Sequence, residues 1–131
     1  MKTLGKIRYW IPALVWMGII FAFSARPAVQ ASGIDWQDFF IKKTAHFVEY
    51  AVLTTLLIFS LNRTTSWNKT KKIVFAVIIS GLYAVSDEFH QSFIPGREPH
   101  VRDVLIDALG SLSAGLFSWK NQWIDKLNYR A

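Results

Sequence analysis

The chain has no cysteine, which excludes a disulfide framework and thiolate chemistry and leaves the redox compartment undetermined. It has no internal repeat, low-complexity segment or linker, so its 131 residues read as a single domain over 1–131. It also lacks a clean apolar stretch of spanning length. The four apolar runs, Tyr9 to Phe23, Ala45 to Leu61, Ile73 to Val85 and Val104 to Trp119, reach the ~20 residues of a membrane helix only with their polar flanks included. No complete metal signature or nucleophile arrangement occurs anywhere in the sequence.

What is present is apolar surface without an amphipathic period. Mean hydropathy is slightly positive, and the four runs are apolar all round, which argues against a soluble bundle with one apolar stripe per helix. The predicted fold is an all-α, polytopic membrane protein with four transmembrane helices at about 7–26, 43–62, 71–91 and 102–120.

Charge sets the expected orientation. Ten of the fifteen basic residues lie before the first run (Lys2, Lys6, Arg8), between the second and third (Arg63, Lys69, Lys71, Lys72) or after the fourth (Lys120, Lys126, Arg130). The positive-inside rule then places both termini in the cytoplasm. The net charge of +6 is thereby topological, and no nucleic-acid partner is expected.

Residues 1–25 have the basic start, apolar core and small residues of a signal peptide. The run is long for one and contains Trp10, Pro12 and Trp16, so a retained first span is expected. Pro12 falls in the first turns, where its missing donor costs least. Between Arg26 and Lys43, Pro27, Ser32 and Gly33 break regularity, and Asp35 is expected to N-cap a short amphipathic stretch at the headgroup level. That stretch carries Trp36, Phe39, Phe40 and Ile41. Trp67, Trp119 and Trp123 are read as inner-boundary anchors.

The polar residues concentrate at the other boundary. Ala84 to Gly110 reads AVSDEFHQSFIPGREPHVRDVLIDALG and carries five of the nine acids and two of the three histidines. Counted inward at about 1.5 Å per residue, Ser24, His46, Glu49, Asp87, Glu88, Asp103 and Asp107 lie roughly 4–11 Å below the outer surface, with His90 and Arg102 nearer it. Insertion of such charges costs several kcal/mol in sum, so they must face one another, water or an ion. Helical spacing gives three faces: Lys43, His46, Glu49 and Tyr50; Asp87, His90 and Gln91; Asp103 and Asp107.

These faces supply the candidate site. His46, Glu49, Asp87, Glu88, His90 and Asp107 are the catalytic candidates; Lys43, Tyr50, Gln91, Arg97, Arg102 and Asp103 are candidates for substrate binding. A divalent metal, if one is used, would take ligands from His46, Glu49, Asp87, Glu88 and Asp107. Ser24 and Ser86 are nucleophile candidates by depth alone. Structural roles compete at several positions: His46 and Glu49 as a pair joining helices, Asp103 as a helix N-terminal acid, Arg97 as a turn residue.

Three blocks, KKTAHFVEY, SDEFHQSFIPGR and RDVLIDALG, resemble the VanZ-like family over roughly Lys42 to Gly115, with a weaker echo at Phe21 to Pro27. The motif positions of that resemblance are Lys43, His46, Glu49, Tyr50, Asp87, Glu88, His90, Gln91, Pro95, Arg97, Asp103, Asp107 and Gly110. It implies a small bacterial membrane protein, in a family some of whose members raise resistance to the lipoglycopeptide teicoplanin. The functional expectation is a protein of the bacterial cytoplasmic membrane, its motif face extracytoplasmic, with an outer-leaflet pocket that binds or shields a membrane lipid or lipid-linked antibiotic. A metal-assisted hydrolase or transferase acting on a lipid head group and an ion- or proton-coupled transporter are the alternatives. Association into oligomers is left open.

Overall fold

The computed structural model describes residues 4–27, 33–121 and 126; the expected boundary marker Trp123 and the break at Ser32 lie outside them. Among the described residues five helices follow in order: α1 (Leu4–Ile7), α2 (Ile11–Ser24), α3 (Asp35–Thr64), α4 (Lys69–Gln91) and α5 (Val101–Lys120). No strand occurs among the described residues.

The first expected helix is divided. Pro12 is the second residue of α2, and its ring crowds the carbonyl four residues back, at Arg8. The chain turns there instead: Tyr9 and Trp10 donate to the carbonyls of Lys6 and Ile7, three residues back. The second helix is longer than expected. α3 does not start near Lys43 but runs unbroken from Asp35, with Ile34 rather than Asp35 at the N-cap. Gly33, at φ +73°, ends the preceding segment, and Asp35 and Asp38 suit the positive end of the helix. Thirty residues make α3 about 45 Å long. Its first two turns carry Trp36, Phe39 and Phe40 on an exposed surface.

α4 is N-capped by Asn68, whose Oδ1 accepts the N–H of Lys71 at 2.8 Å. It is followed by a turn closed by Arg97 N–H on the Ile94 carbonyl. Pro95 and Gly96 occupy the central positions, and Gly96 sits at φ +78°, the left-handed geometry that a type II turn requires there.

The bundle is apolar outside and polar within. On α5, Leu105, Leu109, Leu112 and Leu116 are exposed, whereas Asp107, Gly110, Ser111, Gly115 and Ser118 are buried. On α4, Ile78, Leu82, Val85 and Phe89 face outward while Ser80, Ala84, Asp87 and Gln91 face in. Ser80 and Ser111 meet at 2.8 Å between these two helices. An apolar core of Ile20, Tyr50, Leu53, Leu57, Ile58 and Leu61 fills the centre. α3 and α4 are long and apolar enough to cross a membrane. α2 is shorter, and α5 carries Arg102, Asp103 and Asp107 in its first two turns. The chain is consistent with a membrane protein.

One end of the bundle is basic. Lys6 Nζ donates to the Thr64 carbonyl at 3.2 Å, Lys69 Nζ to the Asn121 carbonyl at 3.0 Å, and buried Lys72 to Asn62 Oδ1 at 2.8 Å. The candidate polar residues lie at the opposite end.

α5 packs most closely on α3. A Cβ at Gly110 would run into the backbone carbonyl of Phe47, whereas one at Gly81 would meet nothing within 4 Å. Gly110→Ala is therefore expected to destabilise the protein by about 2 kcal/mol or more through overpacking against backbone. Gly81→Ala should be neutral or mildly stabilising, as Ala replaces Gly within a helix. Thermal unfolding of both variants in detergent checks this, with a lower midpoint for Gly110→Ala alone.

Candidate functional site

The α3 and α5 contact brings His46 to Asp107. His46 Nδ1 stands 3.3 Å from Asp107 Oδ1, within ion-pair distance but turned off the line of a hydrogen bond. Asp107 is only 1% exposed. One turn nearer the helix start, Asp103 forms an ion pair with Lys43 of α3. The two helices are thus joined by an ion pair and an imidazole–carboxylate contact stacked along one seam, at the spacing that puts residues four apart on one face.

A second cluster ties α4 to α2. Ser24 Oγ donates to Asp87 Oδ2 at 2.8 Å, and Gln91 Nε2 donates to the same oxygen at 2.9 Å. Gln91 also reaches Ser24 Oγ at 3.2 Å, and all three side chains are buried. Asp87 Oδ1 has no partner.

Arg97 closes this cluster from the loop. Its Nε donates to the Arg26 carbonyl at 2.9 Å, NH2 to the Phe23 carbonyl at 3.3 Å, and NH1 to Gln91 Oε1 at 2.9 Å. The carbonyls at the end of a helix have no intrahelical donors, and the planar guanidinium fork suits several acceptors at once. Arg97 therefore fastens the α4–α5 loop onto the end of α2. Glu88 fastens the same loop from the other side, accepting the His100 N–H at 2.6 Å.

Between these clusters a cavity of about 580 Å³ opens at the end of the bundle. Its wall includes Phe23, Ser24, Arg26 and Pro27 from the end of α2, and Lys42, Lys43, Ala45, His46 and Glu49 from α3. Gln91, Gly96, Arg97, Glu98 and Asp103 complete it. Asp87 and Asp107 lie one side chain behind this wall, through their contacts with Ser24, Gln91 and His46.

The remaining candidates fall elsewhere. Tyr50 is fully buried, with no partner for its hydroxyl, and its ring lies 6.3 Å from that of Tyr83. His90 stacks on Phe21 at 4.4 Å. Arg102 lies over the Phe39 ring at 4.9 Å, with Nε 3.7 Å from Asp103. Ser86 is exposed and donates to the Tyr83 carbonyl. Among the described residues no three His, Asp or Glu side chains are grouped so as to hold a metal ion.

Arg26, Lys42 and Glu98 are the charged wall residues that spacing did not single out. The first two lie within stretches that the family resemblance covers, but nothing in helical periodicity marks them as facing a cavity.

Loss of the Arg97 fork should free the loop. Arg97→Ala is expected to raise amide exchange at residues 93–100 and 23–27, and to lower stability by about 1–3 kcal/mol for charged hydrogen bonds. Arg97→Lys should not restore protection, because an ammonium cannot span three acceptors in one plane. Hydrogen exchange resolved to peptides checks both variants.

No curated protein and no solved structure matches the chain. The VanZ/LLP1 family model matches residues 9–121, a stretch that takes in α2 to α5 and every residue of the cavity wall, and the chain accordingly belongs to the VanZ/LLP1 family.

Proposed function

We propose that the protein is a four-span bacterial membrane protein whose extracytoplasmic cavity binds or shields the head of a lipid or lipoglycopeptide, contributing to teicoplanin-type resistance. The observation that carries this reading is the position of the cavity. It opens at the end of the bundle opposite the basic collar, and the positive-inside rule places that collar in the cytoplasm. Its wall mixes Phe23, Pro27 and Ala45 with Arg26, Lys42, Lys43, His46 and Glu49. A molecule with both an acyl chain and a polar head meets both kinds of surface at the depth where lipid changes from hydrocarbon to headgroup.

Orientation is tested with single cysteines, since the chain has none of its own. Lys71→Cys and Glu98→Cys, both at exposed positions, should label with an impermeant maleimide from opposite sides of intact cells, Glu98→Cys from outside. Labelling of both from one side removes the four-span arrangement.

Binding is tested by lipid mass spectrometry of the purified protein and by titration with teicoplanin in nanodiscs. Ala45→Trp, which fills the cavity from an exposed wall position, should weaken binding about tenfold or more, equivalent to ~1.4 kcal/mol, without unfolding the bundle. The same variant should lose any protection that the wild type gives a teicoplanin-susceptible host. Absence of bound lipid, of teicoplanin binding and of protection by the wild type would overturn the reading.

A further inference from the structure

We propose that His46 and Asp107 are a proton-transfer couple that hydrolyses a phosphoester in the head of the amphiphile held by the cavity, an inference that rests on the binding reading above. The geometry sets a buried carboxylate beside an imidazole of the cavity wall. Asp107 is 1% exposed and its Oδ1 lies 3.3 Å from His46 Nδ1. Nε2 has no partner among the described residues, and His46 is part of the cavity wall. The negative carboxylate 3.3 Å away favours the proton on Nδ1 by charge, though the two atoms are off the line of a hydrogen bond, and so leaves the Nε2 lone pair as the base.

The couple depends on a backbone device. Gly110 lets α5 lie directly against the carbonyl of Phe47, the residue after His46. Asp107 is three residues before Gly110 and so occupies the same contact face. Without that close approach the carboxylate would be withdrawn from the ring. The small residue at Gly110 therefore serves the site as well as the packing.

The substrate class follows from the other wall residues. Lys43 is engaged by Asp103, and Arg97 gives three of its five N–H donors to the Phe23 and Arg26 carbonyls and Gln91. Arg26 and Lys42 have no acid partner among the described residues and border the same cavity. Two such cations beside a base suit a phosphoryl group, whose charge spreads over its equatorial oxygens as the bond to the leaving group breaks. Water is the co-reactant. Its oxygen forms a bond to phosphorus while Nε2 takes its proton, the phosphorus bond to the ester oxygen breaks with its electron pair, and the imidazolium returns the proton to that oxygen. The products are an alcohol and a phosphate one ester bond poorer. Asp107 stays ionised throughout and stabilises the imidazolium.

The test uses the full chain in liposomes of total bacterial polar lipid, with products followed by mass spectrometry and bound lipid measured on the same samples. Wild type should release head-group alcohol or phosphate ester. His46→Ala and Asp107→Asn should each lower the rate by about 10²-fold or more, and Asp107→Asn, which lies behind the wall, should change bound lipid by less than about threefold. His46→Ala keeps the inference testable if Asp107→Asn fails to fold. Lipid bound by the wild type without any hydrolysis product overturns the proton-transfer couple and leaves the binding reading standing. Hydrolysis that survives His46→Ala also overturns it. Neither binding nor hydrolysis overturns both.

Discussion

A carboxylate taken out of water must be given a partner, and the arrangement of this bundle follows from how it meets that demand. Asp107 is almost fully buried and sits against His46; Asp87 is held by Ser24 and Gln91; Asp103 is paired with Lys43. Leaving a buried charge without its partner costs about 3–5 kcal/mol, more than a loop or a cap contributes. The close seam between α3 and α5, the fastening of the loop to α2 and the open cavity between them are the means by which four segments bring these partners together.

The same demand explains the inverted distribution of polarity. A water-soluble helix shows its polar face outward. Here α5 turns Leu105, Leu109, Leu112 and Leu116 outward and keeps Asp107, Ser111 and Ser118 inside. A soluble bundle rarely exposes an apolar patch beyond a few hundred Å², and the exposed leucine rows are consistent with a membrane protein.

Much of the polar layer was legible in the sequence because helical spacing fixes which residues share a face. Lys43, His46 and Glu49 do line one cavity, and Asp103 and Asp107 do meet α3 together. Spacing does not say what the face meets, so Tyr50 and His90, on the same predicted faces, end against aromatic neighbours instead. The extension of α3 back to Asp35 was hidden because Trp36, Phe39 and Phe40 fit an interfacial loop as well as a helix end. Arg97 was legible as important but not in its role: its acceptors at Phe23 and Arg26 are backbone carbonyls more than seventy residues away, and a backbone acceptor has no signature in the sequence. Ser24 was visible only by depth, since its partner Asp87 is 63 residues distant.

The cavity wall reaches no deeper along α3 than Glu49. The next inward positions, Tyr50, Leu53, Leu57 and Leu61, are packed core. The recess is therefore closed toward the basic end of the bundle. A molecule held there has no path through the packed core, so occupancy is governed by exchange at the outer end rather than by passage along the bundle axis.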